Sequence, residues 1–136
     1  MKKFILFLSV MGMVGFMGCA RTSGNIPYIS GDDYSTVYMY REFKILGFTE
    51  AYPIEINGLY MFRIGDGDCV TFKIPTGNTE FVCAPALKRV RFLAEKGKKY
   101  YLFVREKFGP EGPEFRQLNE EEWNQKQRAC NWVQLK

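Results

Sequence analysis

The sequence predicts an all-β protein: an antiparallel β-sandwich of about seven strands with a short C-terminal helix. Three observations lead to this fold class. Apolar and polar residues alternate with a period of two, Gly, Pro and Asn residues mark turns between these stretches, and no long helical pattern separates them. A closed barrel is the alternative, but we favour two open sheets that bury one face each.

The first 18 residues have the proportions of an export signal. Two lysines follow Met1, and residues 4–16 form an apolar run of 13 residues. A membrane-spanning helix needs about 20 apolar residues, so this run suits a removable signal. Gly18 is the small residue before Cys19, as in bacterial lipoprotein signals, although Phe16 and Met17 depart from the usual Leu and Ala or Ser.

Resemblance to such signals implies cleavage before Cys19 and lipidation (palmitate) of its sulfur. Each buried methylene adds about 0.8 kcal/mol, so a multiply acylated Cys19 would be a stable membrane anchor. Ala20, rather than Asp, follows it. In a cell with two membranes this favours the outer membrane, with the protein facing the periplasm. Ordinary secretion and an uncleaved anchor are the alternatives.

The 118 residues that remain after residue 18 are enough for one domain. Residues 19–33 are rich in turn formers and lack periodicity, which predicts a lipidated tether. Residues 34–136 are then the sandwich domain. Its first strand begins near Thr36, where Val37 and Met39 alternate with tyrosines.

The clearest local signal is Asn57-Gly58, which suits the type I′ turn of a two-residue β-hairpin. Pairing across this turn predicts three opposed pairs: Ile56 with Leu59, Ile54 with Met61, and Glu55 with Tyr60.

Further turn signals divide the rest of the domain. They predict a turn at residues 65–67, a strand with Val70, Phe72 and Ile74 facing inward, a turn at 75–78 leading back into a strand at 80–83, a long hairpin of 87–95 with 99–106, a loop at 108–113 and an edge strand at 114–118.

A helix at about residues 119–131 closes the chain. Asn119 is the expected N-cap and Glu122 the reciprocal capping residue. Trp123, Cys130 and Val133 are expected to face the sandwich. We interpret the helix as a lid on an open sheet edge rather than as an element that binds a partner.

Charge and composition exclude several functions. The sequence has no His, so catalysis that depends on an imidazole base and the common zinc sites are excluded; we expect no catalytic residues, no metal and no cofactor. After residue 18 the chain carries 17 basic and 15 acidic residues, which is too even to indicate nucleic acid. Basic residues gather in residues 88–107. The simpler interpretation is a charged, solvated strand face, and the alternative is a surface that contacts anionic lipids.

Three cysteines besides Cys19 are available for one disulfide: Cys69, Cys83 and Cys130. If Phe72 pairs with Phe81, Cys69 and Cys83 lie on opposite faces. A pair of Cys130 with one of the other two is equally open. We expect one bridge because an exported chain meets oxidising conditions, and three unbridged core thiols are the alternative.

Four stretches together resemble one family of bacterial lipoprotein domains, domain-of-unknown-function family 2846. They are residues 36–41, the Ile-Asn-Gly hairpin, residues 72–77 and residues 95–104, and the resemblance covers about residues 34–131. Thr76 is inserted where members usually have Pro-Gly. The resemblance implies a small prealbumin-like or immunoglobulin-like sandwich and no established activity.

Several side chains are candidates for a site. Five tyrosines could form a stacking surface for glycan, although cross-strand packing explains them more simply. Arg41 and Arg105 could clamp an anion, or pair with Glu42 and Glu106. Asp66 and Asp68 superficially suggest a calcium loop, but a tight turn is the simpler interpretation. The tyrosines are Tyr38, Tyr40, Tyr60, Tyr100 and Tyr101.

Two classes of function follow. The first, which we favour, is a non-enzymatic interaction module of the cell envelope, held at the membrane by Cys19 and binding an envelope protein or, as a variant, glycan or peptidoglycan. The second is a cell-wall hydrolase that uses carboxylates alone. The carboxylates that would have to converge are Glu50, Glu55, Asp66 and Asp68.

Overall fold

The computed structural model describes residues 21–43, 50–84, 87–107 and 110–136, so Cys19 and the export signal lie outside the described residues. The chain in these ranges is an all-β sandwich, which confirms the predicted fold class. It contains more strands than expected, two of them only two residues long. In order they are β1 (Ser23–Gly24), β2 (Tyr34–Arg41), β3 (Tyr52–Ile56), β4 (Leu59–Ile64), β5 (Asp68–Pro75), β6 (Gly77–Cys83), β7 (Lys88–Ala94), β8 (Lys99–Arg105), β9 (Glu114–Leu118), α1 (Glu120–Lys126), a 3-10 turn (Gln127–Ala129) and β10 (Asn131–Trp132).

The strands form two five-stranded sheets. Sheet A has the order β1-β4-β3-β6-β7, and sheet B has the order β10-β5-β2-β8-β9. Sheet A is antiparallel, as predicted. Sheet B is mixed, because β2 pairs with β8 in parallel and β10 pairs with β5 in parallel.

Two predicted strand pairings are wrong. β6 does not return beside β5, and β8 does not return beside β7; in both cases the chain crosses from one sheet to the other. Phe72 and Phe81 therefore meet as rings across the core, with centroids 6.2 Å apart, instead of pairing as neighbours. A turn signal specifies that the chain reverses, but not whether the next strand joins the same sheet.

The hairpin of β3 and β4 contains the predicted turn. Asn57 and Gly58 have φ values of 51° and 82°, as a type I′ turn requires. The predicted pairs of Ile56 with Leu59 and of Glu55 with Tyr60 are confirmed, but Ile54 pairs with Phe62 and not with Met61. An irregularity between Ile54 and Glu55 shifts the register, and this shift points Phe62 into the core.

The main core lies between the two sheets. Val37 and Met39 of β2 face it from sheet B, and Val70, Phe72 and Ile74 are buried as predicted. From sheet A it receives Ile54, Ile56, Phe62, Ile64, Phe81 and Cys83.

A second cluster lies on the outer face of sheet B, where α1 covers it. Trp123 is 3 % exposed and stacks on Tyr101 with ring centroids 5.3 Å apart. Asn119 caps the helix, because its Oδ1 accepts a hydrogen bond from Glu122 N at 2.8 Å. The helix is therefore a lid, as expected, but on the face of the sheet and not on an edge. The carboxylate of Glu122 accepts a hydrogen bond from Arg116 at 3.0 Å.

Within the described ranges, α1 and every other helical segment are too short or too polar to cross a bilayer.

Candidate functional site

The N-terminal segment joins the sandwich at the end where β2 and β4 finish. Thr22 Oγ1 donates a hydrogen bond to Asp68 Oδ2 at 2.5 Å and accepts one from Gly65 N at 2.8 Å. Immediately afterwards β1 pairs with β4, Ser23 opposite Arg63. We call this the proximal end of the sandwich; it comprises residues 21–22, 41–43 and 65–68. The distal end carries the turns at residues 57–58, 75–77 and 95–98.

From the proximal end the segment runs along the sandwich towards the distal end. Ile26 is partly buried against the main core. Ile26, Pro27 and Ile29 line an apolar groove of about 170 Å³ together with residues of β3, β4 and β5. The prediction of a tether across residues 19–33 is therefore wrong for residues 22–29, which are docked on the sheets. A two-residue strand has no periodicity for the sequence to reveal.

Asp68 binds both the first described segment, at Thr22, and the C-terminal segment, at Asn131. Its Oδ2 binds Thr22, and its Oδ1 accepts a hydrogen bond from Asn131 Nδ2 at 2.8 Å. The backbone N of Asn131 also donates to Gly67 O at 3.0 Å. Both carboxylate oxygens of Asp68 are thus engaged by protein donors. The turn at residues 65–67 is the tight turn that we expected, and Gly67 in it has φ 75°.

Arg41 ends β2 inside the sandwich and is 1 % exposed. Its Nη1 donates to the carbonyls of Glu50 at 2.6 Å and Ile64 at 3.0 Å, and its guanidinium lies 3.9 Å from the centroid of the Tyr52 ring. The expected ion pair with Glu42 is not what holds it. Its Nε and Nη2 have no hydrogen-bond partner within the described residues.

Tyr52 and Glu106 complete this buried polar group. Glu106 follows β8, in which Val104 is opposite Arg41, and its Oε2 is buried without a hydrogen-bond partner in the described ranges. Burial raises the pKa of the Tyr52 hydroxyl, the charge of Arg41 opposes this rise, and the carboxylate of Glu106 adds to it. Arg41 is enclosed and held by two backbone carbonyls, so it offers no exposed clamp for a ligand.

Arg105, the other predicted clamp, lies on the surface. It pairs with Glu114 at 2.9 Å and, more distantly, with Glu42 at 3.8 Å. The basic stretch 88–107 is similarly paired: Arg89 and Arg91 with Glu80, Lys96 with Asp32, Lys98 with Glu95, and Lys107 with Glu114. These pairs match a mixed solvated surface.

The three cysteines of the domain separate into one disulfide and one thiol. Cys69 and Cys130 are joined, which clamps the C-terminal segment to the outer face of sheet B. Cys83 is a buried free thiol on the inner face of sheet A. Cys69 and Cys83 do not meet, because Cys69 lies on the outer face of sheet B and Cys83 on the inner face of sheet A. Burial raises the pKa of Cys83 to about 12, despite the opposing charge of Arg41.

The five tyrosines do not form one surface. Tyr100 is buried in the main core, where its hydroxyl donates to Leu93 O at 2.9 Å. Tyr40 is buried in the cluster on the outer face of sheet B. Tyr38 and Tyr101 pack against Trp123 in the same cluster. Tyr60 is half exposed on sheet A.

Of the four carboxylates singled out in the sequence, one lies apart from the other three. Glu55 lies on the outer face of sheet A, opposite Tyr60 and Val82. Asp66 and Asp68 belong to the proximal end, with Glu50 beside it, and the carboxylate of Asp68 is bound by Thr22 and Asn131. No group of three or more His, Cys, Asp or Glu side chains in the described part of the chain is placed to hold a metal ion.

No family model, curated protein or solved structure matches this chain. Membership of domain-of-unknown-function family 2846 therefore stays a prediction from the quoted motifs.

Proposed function

We propose that the protein is a lipid-anchored β-sandwich of the bacterial cell envelope that acts as a non-enzymatic interaction module. The observation that carries this proposal is the N-terminal sequence, in which a short apolar run ends at Gly18-Cys19. The domain supports it, because a sandwich with its own core and a disulfide is suited to an oxidising compartment outside the cytoplasm.

The chemistry of the described side chains favours binding over catalysis. The thiol of Cys83 is buried with a pKa raised to about 12, so it is a poor nucleophile. Arg41 and Asp68 are committed to internal hydrogen bonds. Sheet A, in contrast, exposes three large apolar side chains near the distal end, Leu59, Tyr60 and Leu93. We take Leu59 and Tyr60, which are adjacent on β4, as the place where a partner protein would bind.

The anchor is tested by growing cells with an alkyne-bearing fatty acid and comparing the intact protein with its Cys19→Ser variant. We expect the intact protein to carry the label and to sediment with membranes, and the variant to lose both properties. Mass spectrometry of the N-terminal peptide gives the cleavage site. Label that persists in the variant, or an unlabelled intact protein, would reject the proposed anchor.

The interaction is tested with a photo-crosslinking amino acid in place of Tyr60, and with Lys126, on α1, as the matched control position. We expect one envelope protein to be crosslinked from Tyr60, weakly or not at all from Lys126, and less in the Cys19→Ser variant. Crosslinking to purified peptidoglycan from Tyr60 would instead favour the glycan-binding alternative.

A further inference from the structure

The docked N-terminal segment leaves very little free chain between the proposed lipid and the sandwich. Cys19 and Thr22 are three residues apart, and three residues span at most about 11 Å when fully extended. Thr22 is fixed to the proximal end by its hydrogen bonds to Asp68 and Gly65. The proximal end must therefore lie within about 11 Å of the backbone of Cys19.

The distal end is out of reach of such a short connection. β2 has eight residues and runs from the distal to the proximal end, which corresponds to about 26 Å at 3.3 Å per residue. If residues 20–33 were free, as the sequence predicted, their root-mean-square span would be about 20 Å and the domain could turn in any direction. Docking of residues 22–29 removes that freedom.

Resting on the proposed lipidation of Cys19, we infer that the sandwich stands on the membrane with its proximal end against the lipid head groups and its distal end directed away. The partner of the proximal end is thus a lipid surface. Phe43, 61 % exposed beside the turn of Gly67, and the exposed Arg21 are two of the described side chains at this end that could meet it. An aromatic ring and a cation are suited to the head-group region of a bilayer.

What holds this orientation is the pairing of β1 with β4. Gly24 has φ 140°, and a Cβ built there would lie 2.6 Å from atoms of Phe62. A larger residue at this position would push β1 away from β4 and release the segment. Thr22 and Asp68 fasten the same segment from the other side.

The orientation is tested by fluorescence quenching with the lipidated full chain in vesicles whose head groups carry a nitroxide quencher. A fluorophore is attached to Glu50→Cys, which is exposed beside the proximal end, or to Lys96→Cys at the distal turn, each in a Cys83→Ala background. We expect quenching to be several-fold stronger at position 50 than at position 96.

Two further variants separate the short connection from other causes. A Gly-Ser insert of about ten residues after Ala20, with a root-mean-square span of about 17 Å, leaves the domain untouched and should abolish the difference. Gly24→Val should reduce the difference in quenching between positions 50 and 96, because it releases β1 from β4. Equal quenching at both positions in lipidated, vesicle-bound protein would overturn the orientation while leaving the anchor intact. Protein without lipid on Cys19 would overturn the proposed function, and the orientation with it.

Discussion

Cys83 is the residue whose chemistry is most altered by the fold. Its thiol is buried in the main core, and its pKa is raised from 9.0 to about 12. In the Cys19→Ser chain with the disulfide intact, Cys83 is the only free thiol. We expect it to react with a thiol reagent only after denaturation. Rapid reaction in native buffer would contradict the burial.

The same shift gives a pH dependence of stability. The unfolded thiol ionises above about pH 9, whereas the folded thiol stays neutral up to about pH 12. The neutral thiol therefore contributes fully to stability below pH 9, and this contribution is lost as the pH rises towards 12. The free energy of unfolding can be measured by denaturation at about pH 8 and again at about pH 11. Between these two values it should fall less for Cys83→Ala than for the natural chain.

Arg41 is the second residue with a specific structural role. Arg41→Ala leaves the carbonyls of Glu50 and Ile64 without their donor, which should cost about 2–4 kcal/mol of unfolding free energy. The control is Arg105→Ala, whose exposed ion pairs contribute less than about 1 kcal/mol. Chemical denaturation of both variants measures the difference, and equal losses would exclude the internal role of Arg41.

The structural role of a single residue was predicted well where it depends only on neighbouring residues in the sequence. Asn119 caps α1, and Asn57-Gly58 forms the turn, because each needs only its nearest neighbours. The partner of Cys130 and the roles of Thr22 and Asp68 could not be predicted, since these contacts join residues 43 or more positions apart. No periodic pattern encodes contacts over such separations.

At the level of elements, the disulfide fixes α1 and β10 to the rest of the molecule. It joins residues 61 positions apart, so loss of the bridge should cost about 4 kcal/mol through the entropy of the unfolded chain. We expect Cys130→Ser and chemical reduction of the natural chain to lower stability equally. Reduction of the Cys130→Ser variant should have no further effect, and an additive loss would point to a different bridge.

The strands were recognised from alternation and the pairing of β3 with β4 from its turn, but the pairing of β5 to β8 was not predicted correctly. Alternation identifies which face of β5, β6, β7 and β8 is buried, and this was enough to predict that Val70, Phe72 and Ile74 face inward. Both sheets bury one face against the same core, so the pattern looks identical whichever sheet a strand joins. After β5 and after β7 the chain passes from one sheet to the other, and which sheet the next strand joins depends on packing between the sheets.

At the scale of the whole molecule, the domain begins earlier than the sequence indicates. A chain that starts at Tyr34 lacks β1, the Thr22 hydrogen bonds and the packing of Ile26, and exposes the edge of β4. Compared with a chain that starts at Arg21, we expect about 2–4 kcal/mol lower stability and self-association at high concentration. Denaturation and analytical ultracentrifugation test this, and identical behaviour of both chains would show that residues 21–33 are dispensable.

The position of β2 in the centre of sheet B also determines when the protein can fold. Its two neighbours come much later in the chain: Thr36 is opposite Lys73 on one side and opposite Lys99 on the other. Pairing over such separations is slow, because the intervening chain must first be ordered. Sheet B therefore cannot be completed before β8 has been synthesised. In the export that we propose, this late pairing would keep sheet B open, and the chain easier to thread through a narrow channel, until β8 has crossed the membrane.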